Sequence, residues 1–311
     1  MAQAVEVAAA VIQRPDGSFL LARRPAGKVY AGWWEFPGGK IEHGEPALSA
    51  LARELHEELG IDVRMAYPWL TRMHAYEHTT VRLNFFRVTD WAGEPRPREK
   101  QTFVWQRLDA PMVSPMLPAN APVLASLALP DEYAVTDAES LGRDFLLSRL
   151  AVRLKAGLKL IQVRDKNLAD RDAFVRAVLE LAGPFQAKVL INGGPVGKDG
   201  IPAVGDGIHF TAAQLMALTE RPAHGLAAAS CHTRQELERA MRLELDFAVL
   251  GPVKETASHA GAATLGWEGF AAIARGASIP VYAIGGLRSS ELSAAWSAGA
   301  HGLAMISGSW R

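Results

Sequence analysis

Apolar and polar positions alternate in short runs along the first part of the chain. Residues 5–13 and 18–22 read as two strands joined at Pro15-Asp16-Gly17, a turn sequence. Residues 81–89 set Val81, Leu83 and Phe85 against Arg82 and Asn84, as a half-buried strand requires. Residues 102–108 make another strand candidate and 119–127 a short helix. Between the early and late strands lies a helical stretch that Pro46 opens and Gly60 closes. A mixed sheet flanked by two helices fits this order.

Past Leu129-Pro130-Asp131-Glu132 the rhythm changes. Short apolar runs at 133–136, 158–163, 187–191, 207–210, 226–230, 247–250, 281–284 and 302–306 alternate mostly with helical stretches. Eight strands in that rhythm predict a (β/α)8 barrel. At about 180 residues it is short against the usual ~250. The residues after the eighth run leave no room for a last outer helix, and 193–205 is too rich in glycine and proline for a helix. The reading is a two-domain α/β chain: a helix-flanked mixed sheet over 1–130, then a trimmed barrel over 131–311.

Charge and composition narrow the function. The 311 residues carry 33 Lys plus Arg against 33 Asp plus Glu, so no overall field draws the chain to a nucleic acid polymer or a membrane surface. A free nucleotide is the more natural partner. One cysteine, Cys231, excludes an internal disulfide and fits a reducing cytoplasm. The first residues lack a basic leader and cleavage site, and no apolar run reaches the ~18 residues of a membrane span.

The chemistry concentrates between Gly39 and Ile61. Glu54, Glu57 and Glu58 fall at i, i+3 and i+4, side by side on one helix face. Carboxylates that close repel unless a cation sits among them, and oxygen ligands suit Mg²⁺. A solvated acidic face with Arg53 and Glu57 paired would explain the charges, but not Gly39, Glu45 and Gly60 at their offsets. The full spacing, G-x5-E-x7-R-E-U-x-E-E-x-G-U, is identified as a Nudix box. The flanks RRPAGKVYAGWWEFPGGK (23–40), WAGEPRPREKQ (91–101) and LPANAPVL (117–124) resemble the MutT-type 8-oxo-dGTP diphosphatases.

That resemblance implies a Nudix α/β/α sandwich and hydrolysis of 8-oxo-dGTP, and of related nucleoside triphosphates, to monophosphate and pyrophosphate. It implies Mg²⁺, with Mn²⁺ as an alternative, held by Glu54, Glu57 and Glu58 beside the Gly39 carbonyl, with Glu99 from the loop of Arg98, Lys100 and Gln101. Glu54 is the first candidate for general base and Glu99 the second. Arg53 is expected to orient Glu57. Arg24 matches a phosphate-binding arginine, or is a surface charge. Asn120 matches a base-reading asparagine, or caps a helix, and Phe36 beside Gly38 is a ring against the base or a core residue. An amide offers a donor and an acceptor side by side. The 8-oxoguanine edge, with a hydrogen on N7 and an accepting O6, pairs with both, whereas guanine presents two acceptors. His43, His56, His74 and His78 read as surface or packing histidines, and the tryptophans as core.

The second part resembles thiamine-phosphate synthase and its TenI-type relatives. Gln162, Arg164 and Lys166 lie in a Q-x-R-x-K segment that the family uses for pyrophosphate. Asn192, His232, Thr256, Gly285, Gly286 and Ser307 follow in family order, the glycines suggesting a phosphate cradle and a thiazole phosphate ligand. Gly193 and Gln214 stand where the synthases carry aspartates, and His259 where they carry a lysine, which argues against synthase activity. His232 keeps open an acid–base role of the tautomerase kind. Two alternatives stay beside the nucleotide reading: hydrolysis of a thiamine-pathway diphosphate, or a hydrolase regulated by a ligand-binding barrel. The sequence leaves the oligomeric state open.

Overall fold

Strand β1 (Val5–Ile12) sends Ala8, Ala10 and Ile12 to one face and Ala9 and Val11 to the other, and each face is covered. In the computed structural model, which describes residues 4–98, 101–193, 204–256 and 263–310, the chain divides into two compact units, Met1–Ala128 and Leu129–Arg311. The first unit holds β2 (Phe19–Arg23), β3 (Trp34–Glu35), β4 (Gly38–Lys40), α1 (Ala47–Leu59), β5 (Asp62–Tyr76), β6 (Thr79–Ala92), β7 (Thr102–Gln106) and α2 (Ala121–Leu127). One sheet runs β4-β1-β6-β5, with β1 and β6 parallel and the other pairs antiparallel; a smaller antiparallel sheet runs β3-β2-β7.

Helix α1 lays Ala50, Leu51, Leu55 and Leu59 on Ala8, Ala10, Ile12 and Val88. The three leucines are fully buried, each contributing about 1.5–3 kcal/mol over an exposed position. Gly60 closes the helix at φ +68°, its N–H reaching the His56 carbonyl while the Ile61 N–H reaches that of Leu55. On the opposite face Val123 of α2 meets Val11, Leu21, Phe36 and Phe85. This is the expected α/β/α sandwich with a mixed sheet.

The second unit is a closed barrel of eight parallel strands. They are β8 (Glu132–Val135), β9 (Leu160–Val163), β10 (Lys188–Asn192), β11 (Gly207–Phe210), β12 (Leu226–Cys231), β13 (Phe247–Leu250), β14 (Val281–Ile284) and β15 (Gly302–Met305). The helices are α3 (Ala138–Leu141), α4 (Arg143–Lys155), α5 (Arg171–Ala182), α6 (Ala212–Ala217), α7 (Arg234–Arg242), α8 (Gly266–Ala274), α9 (Leu292–Ser297) and α10 (Ser307–Trp310). Tyr133, Leu160, Leu190, Phe247 and Tyr282 point inward and pack together, while Ala134, Ile161, Val189 and Ile191 point outward to α4 and α5. Buried on both faces, the strands read as short continuous apolar runs.

The end of the barrel departs from expectation. A four-residue helix, α10, does follow β15, and its Trp310 is buried, the indole donating to the Val135 carbonyl at 2.8 Å. Most of the glycine- and proline-rich stretch after β10 lies outside the described residues. Among the described residues, no helix is long and apolar enough to cross a membrane.

Candidate active sites

The first site is a cleft of about 840 Å³ in the sandwich, lined by Gly38, Gly39, Glu54, Glu58, Arg24, Phe36 and Asn120 among others. Helix α1 presents Glu54 and Glu58 to it, one turn apart, and β4 passes beneath them. Gly39 is required there because Glu54 lies against it: a Cβ on Gly39 would stand 2.0 Å from the Glu54 carboxyl carbon. Glu57 is not among the cleft-lining residues; half its side chain is exposed.

Arg53 explains two more positions of the box. Its guanidinium donates to Glu45 through Nε (3.1 Å) and Nη2 (3.0 Å), to the Lys40 carbonyl (3.1 Å), and to Glu54 through Nη1 (2.8 Å). Glu57 is the long partner at 3.5 Å, so Arg53 orients Glu54 and not chiefly Glu57, as the sequence had suggested. These carboxylates hold the Arg53 pKa well above its ordinary value, and Arg53 together with the Glu42 N–H pulls the Glu45 carboxyl down. The motif glutamate at 45 thus fixes an arginine that fixes a cleft carboxylate.

The divalent cation of the Nudix resemblance can be tested against these residues. Glu54 and Glu58 are hard oxygen donors facing one cleft, beside backbone that carries no side chain at Gly39. This donor set suits Mg²⁺. Among the described residues no three carboxylate, imidazole or thiol groups gather in metal-binding geometry; Arg53 draws Glu54 and Glu57 onto itself. Glu99 and Lys100 lie outside the described residues, though their neighbours Arg98 and Gln101 both bond the Glu58 carbonyl.

Asn120 lies in a 3-10 turn (Pro118–Asn120) ahead of α2 and makes no side-chain cap, so the helix-cap alternative fails. Its amide donates to the Trp34 carbonyl at 3.3 Å. A carbonyl only accepts, which fixes the amide orientation and leaves the second N–H of Nδ2 for a ligand. Phe36 is only 4% exposed, wedged between Phe19 and Phe85 at 6.0 and 5.9 Å, and is a core residue at the cleft wall. Arg24 is ion-paired with Glu35 at 2.6 Å, and this half-buried carboxyl has its pKa raised by burial against the opposing pull of Arg24. Of the histidines, His43 and His56 are exposed, whereas His78 lines the cleft, which sequence reasoning missed.

The second site is a cavity of about 380 Å³ at the carboxyl ends of the barrel strands. Gln162, Arg164, Lys166, Asn192, His232, Thr256 and Gly285 line it, as expected. Gly286 and Ser307 are not among the lining residues. A Cβ on Gly286, which sits at φ +64°, would stand 2.6 Å from the Glu255 carbonyl, so this glycine serves loop packing. His232 faces the Gly251 carbonyl through Nδ1 at 2.7 Å, which puts the proton on Nδ1 and leaves Nε2 as acceptor.

Sequence reasoning missed the floor of this cavity. His209 is 1% exposed, between the Tyr133 hydroxyl (3.2 Å) and Ser230 Oγ (2.9 Å). Burial, then the Lys166 charge, pulls its pKa down to about 3, so it stays neutral. A lone imidazole inside the four-residue apolar strand Gly207–Phe210 was the available signal. Cys231 is buried, its thiol pushed up to about 12 by burial, which makes it inert. Gly193 and Gln214 prove to be neighbours: a Cβ on Gly193 would stand 3.6 Å from Gln214 Oε1. His259 lies outside the described residues.

Comparison with known proteins follows this division. The NUDIX domain model matches residues 8–126, and the thiamine monophosphate synthase model matches residues 132–308. The CTP pyrophosphohydrolase of Escherichia coli strain K12 is 39% identical over 120 residues, covering 39% of this chain and 88% of that protein. An 8-oxo-dGTP diphosphatase of Haemophilus influenzae is 36% identical over 123 residues, covering 40% of this chain and 90% of that protein. A solved thiamine phosphate pyrophosphorylase from Pyrococcus furiosus aligns with 57% of this chain and 85% of its own at 23% identity and a TM-score of 0.45. The chain belongs to the Nudix hydrolase family through its first domain and to the thiamine monophosphate synthase family through its second.

Proposed function

We propose that the first domain hydrolyses 8-oxo-dGTP, and more slowly other nucleoside triphosphates, to the monophosphate and pyrophosphate in a Mg²⁺-dependent reaction, with Mn²⁺ as an alternative ion. The observation that carries this reading is Asn120, buried at the cleft wall with its amide orientation set by the Trp34 carbonyl. Similarity to an 8-oxo-dGTP diphosphatase supports it, and similarity to a CTP pyrophosphohydrolase supports a wider triphosphate range.

Glu54, Glu58 and the Gly39 carbonyl would hold the cation, with Glu57 and Glu99 completing the set. Such an ion, when bound, offsets phosphate charge and makes a water more acidic. Glu54 accepts the proton of the attacking water, and Arg53 positions Glu54 while Glu45 holds Arg53. Arg24, braced by Glu35 at Nη1 and by the Val29 carbonyl at Nε (2.8 Å), steers phosphate oxygens with Nη2. Phosphoryl chemistry of this kind needs alignment and charge stabilisation more than covalent help.

Asn120→Ala tests base selection. The fold should survive, since the Trp34 carbonyl keeps its bond from Leu117 N–H at 3.0 Å. The kcat/KM ratio of 8-oxo-dGTP to dGTP should fall by about one to two decades, the worth of ~1–3 kcal/mol from one lost amide pairing. An unchanged ratio would remove Asn120 from base recognition.

For the barrel, the proposal is binding of a thiazole phosphate without synthase turnover. Arg164 and Lys166 supply positive charge to the cavity, whereas Gly193 and Gln214 leave neighbouring positions without a carboxylate for a metal–pyrophosphate. Calorimetry with thiazole phosphate should give an isotherm that weakens about tenfold or more in Lys166→Gln. Both synthase substrates together should yield no thiamine phosphate above background. Robust product formation would overturn the proposal.

A further inference from the structure

A reader of base edges such as Asn120 works only on a ring held flat, and a flat ring needs a π-surface against its face. Five aromatic rings line the cleft among the described residues: Tyr30, Phe36, Tyr76, His78 and Phe85. Phe36 and Phe85 are 4% and 1% exposed and spend their faces on the core. The accessible rings are Tyr30, Tyr76 and His78, and the three form one cluster. Tyr30 stands 5.5 Å from Tyr76 and 6.4 Å from His78, and Tyr76 stacks on His78 at 6.1 Å and 26°.

The backbone brings them together by two unusual means. The hairpin of β5 and β6 runs past the sheet: Val81 is the first β6 partner of β1, yet β5 and β6 continue to pair through Ala75–Thr80 and Tyr76–Thr79. Facing this tip, Tyr30 holds φ +59°, a left-handed conformation that a bulky residue adopts only when its surroundings demand it.

We propose that Tyr30 and Tyr76, with His78 behind them, are the platform on which the nucleobase stacks. The inference rests on the nucleotide-hydrolase reading of the cleft and adds a division of labour. Tyr30 and Tyr76 bind any base by its face, and Asn120 selects among bases by their edges. Base–aromatic stacking is tolerant of base identity because every base offers a π-face.

The experiment is steady-state hydrolysis by the full chain in parent, Tyr76→Ala, Tyr76→Phe and Tyr30→Asn forms. The substrates are 8-oxo-dGTP, dGTP, CTP and, as a base-free probe, ribose 5-triphosphate. Asparagine tolerates the left-handed backbone at position 30, so that variant removes the ring without adding strain. In Tyr76→Ala and Tyr30→Asn, KM for all three nucleotides should rise about tenfold, within the range of a lost stack. The 8-oxo-dGTP to dGTP ratio of kcat/KM and the KM for ribose 5-triphosphate should hold, and Tyr76→Phe should restore nucleotide KM. An equal rise for the base-free probe would assign the rings to hairpin packing and overturn the proposal, as would unchanged nucleotide KM. Absence of nucleotide hydrolysis by the parent chain would instead defeat the underlying reading, a separate outcome in the same assay.

Discussion

Glu54→Gln should lower kcat for nucleotide hydrolysis by two or more decades while leaving the fold intact. The carboxylate lies in the cleft against Gly39 and at 2.8 Å from Arg53, so the change removes a charge from the reacting region and keeps the side chain's shape. Two decades correspond to about 2.7 kcal/mol of barrier, within what metal-assisted charge stabilisation and general-base catalysis supply. Thermal stability should barely move, because Arg53 keeps Glu45 and the Lys40 carbonyl. Activity within threefold of the parent would remove Glu54 from the chemistry.

Gly38→Ala and Gly39→Ala should fail in opposite ways. At Gly39 the intruding methyl meets the far end of the Glu54 side chain, with both oxygens within 2.3 Å, and that end can swing aside. The protein should fold with a small loss of Tm and lose roughly a hundredfold in kcat, the scale of a catalytic group displaced by about an ångström. At Gly38, φ is +145° and the methyl would stand 2.1 Å from the Ala8 carbonyl of the central strand. Backbone in a sheet cannot yield cheaply, so Gly38→Ala should destabilise by more than ~3 kcal/mol in denaturant titrations. Equal melting temperatures for the two variants would contradict this assignment.

The barrel was legible in the sequence because its strands are buried on both faces and bounded by polar stretches, so each apolar run marked a strand. The sandwich was less so. β5 escaped because its register shifts at Val63/Met65, Met65/Ala66 and Pro68/Thr71, which breaks the alternation that marks a strand. β3 and β4 are two and three residues long, too short for any period. The box spacing announced the carboxylates, but not that Glu45 and Arg53, eight residues apart, form one unit with Glu54. The Arg24–Glu35 pair and the Tyr30–Tyr76 contact join separate strands and loops, and no local pattern encodes them. His232 and Lys166 were readable from motif order, whereas His209 was hidden as one polar residue in a core strand.

The most direct test of the central claim is product formation by the purified full chain with Mg²⁺: pyrophosphate from 8-oxo-dGTP, dGTP and CTP, and orthophosphate with thiamine phosphate from thiamine diphosphate. Hydrolysis of 8-oxo-dGTP should require the divalent ion and exceed dGTP by at least about tenfold in kcat/KM, the scale set by one amide pairing. Thiamine diphosphate should remain intact. Cleavage of thiamine diphosphate faster than any nucleotide would contradict the claim and make a thiamine-pathway diphosphate the substrate of the hydrolase.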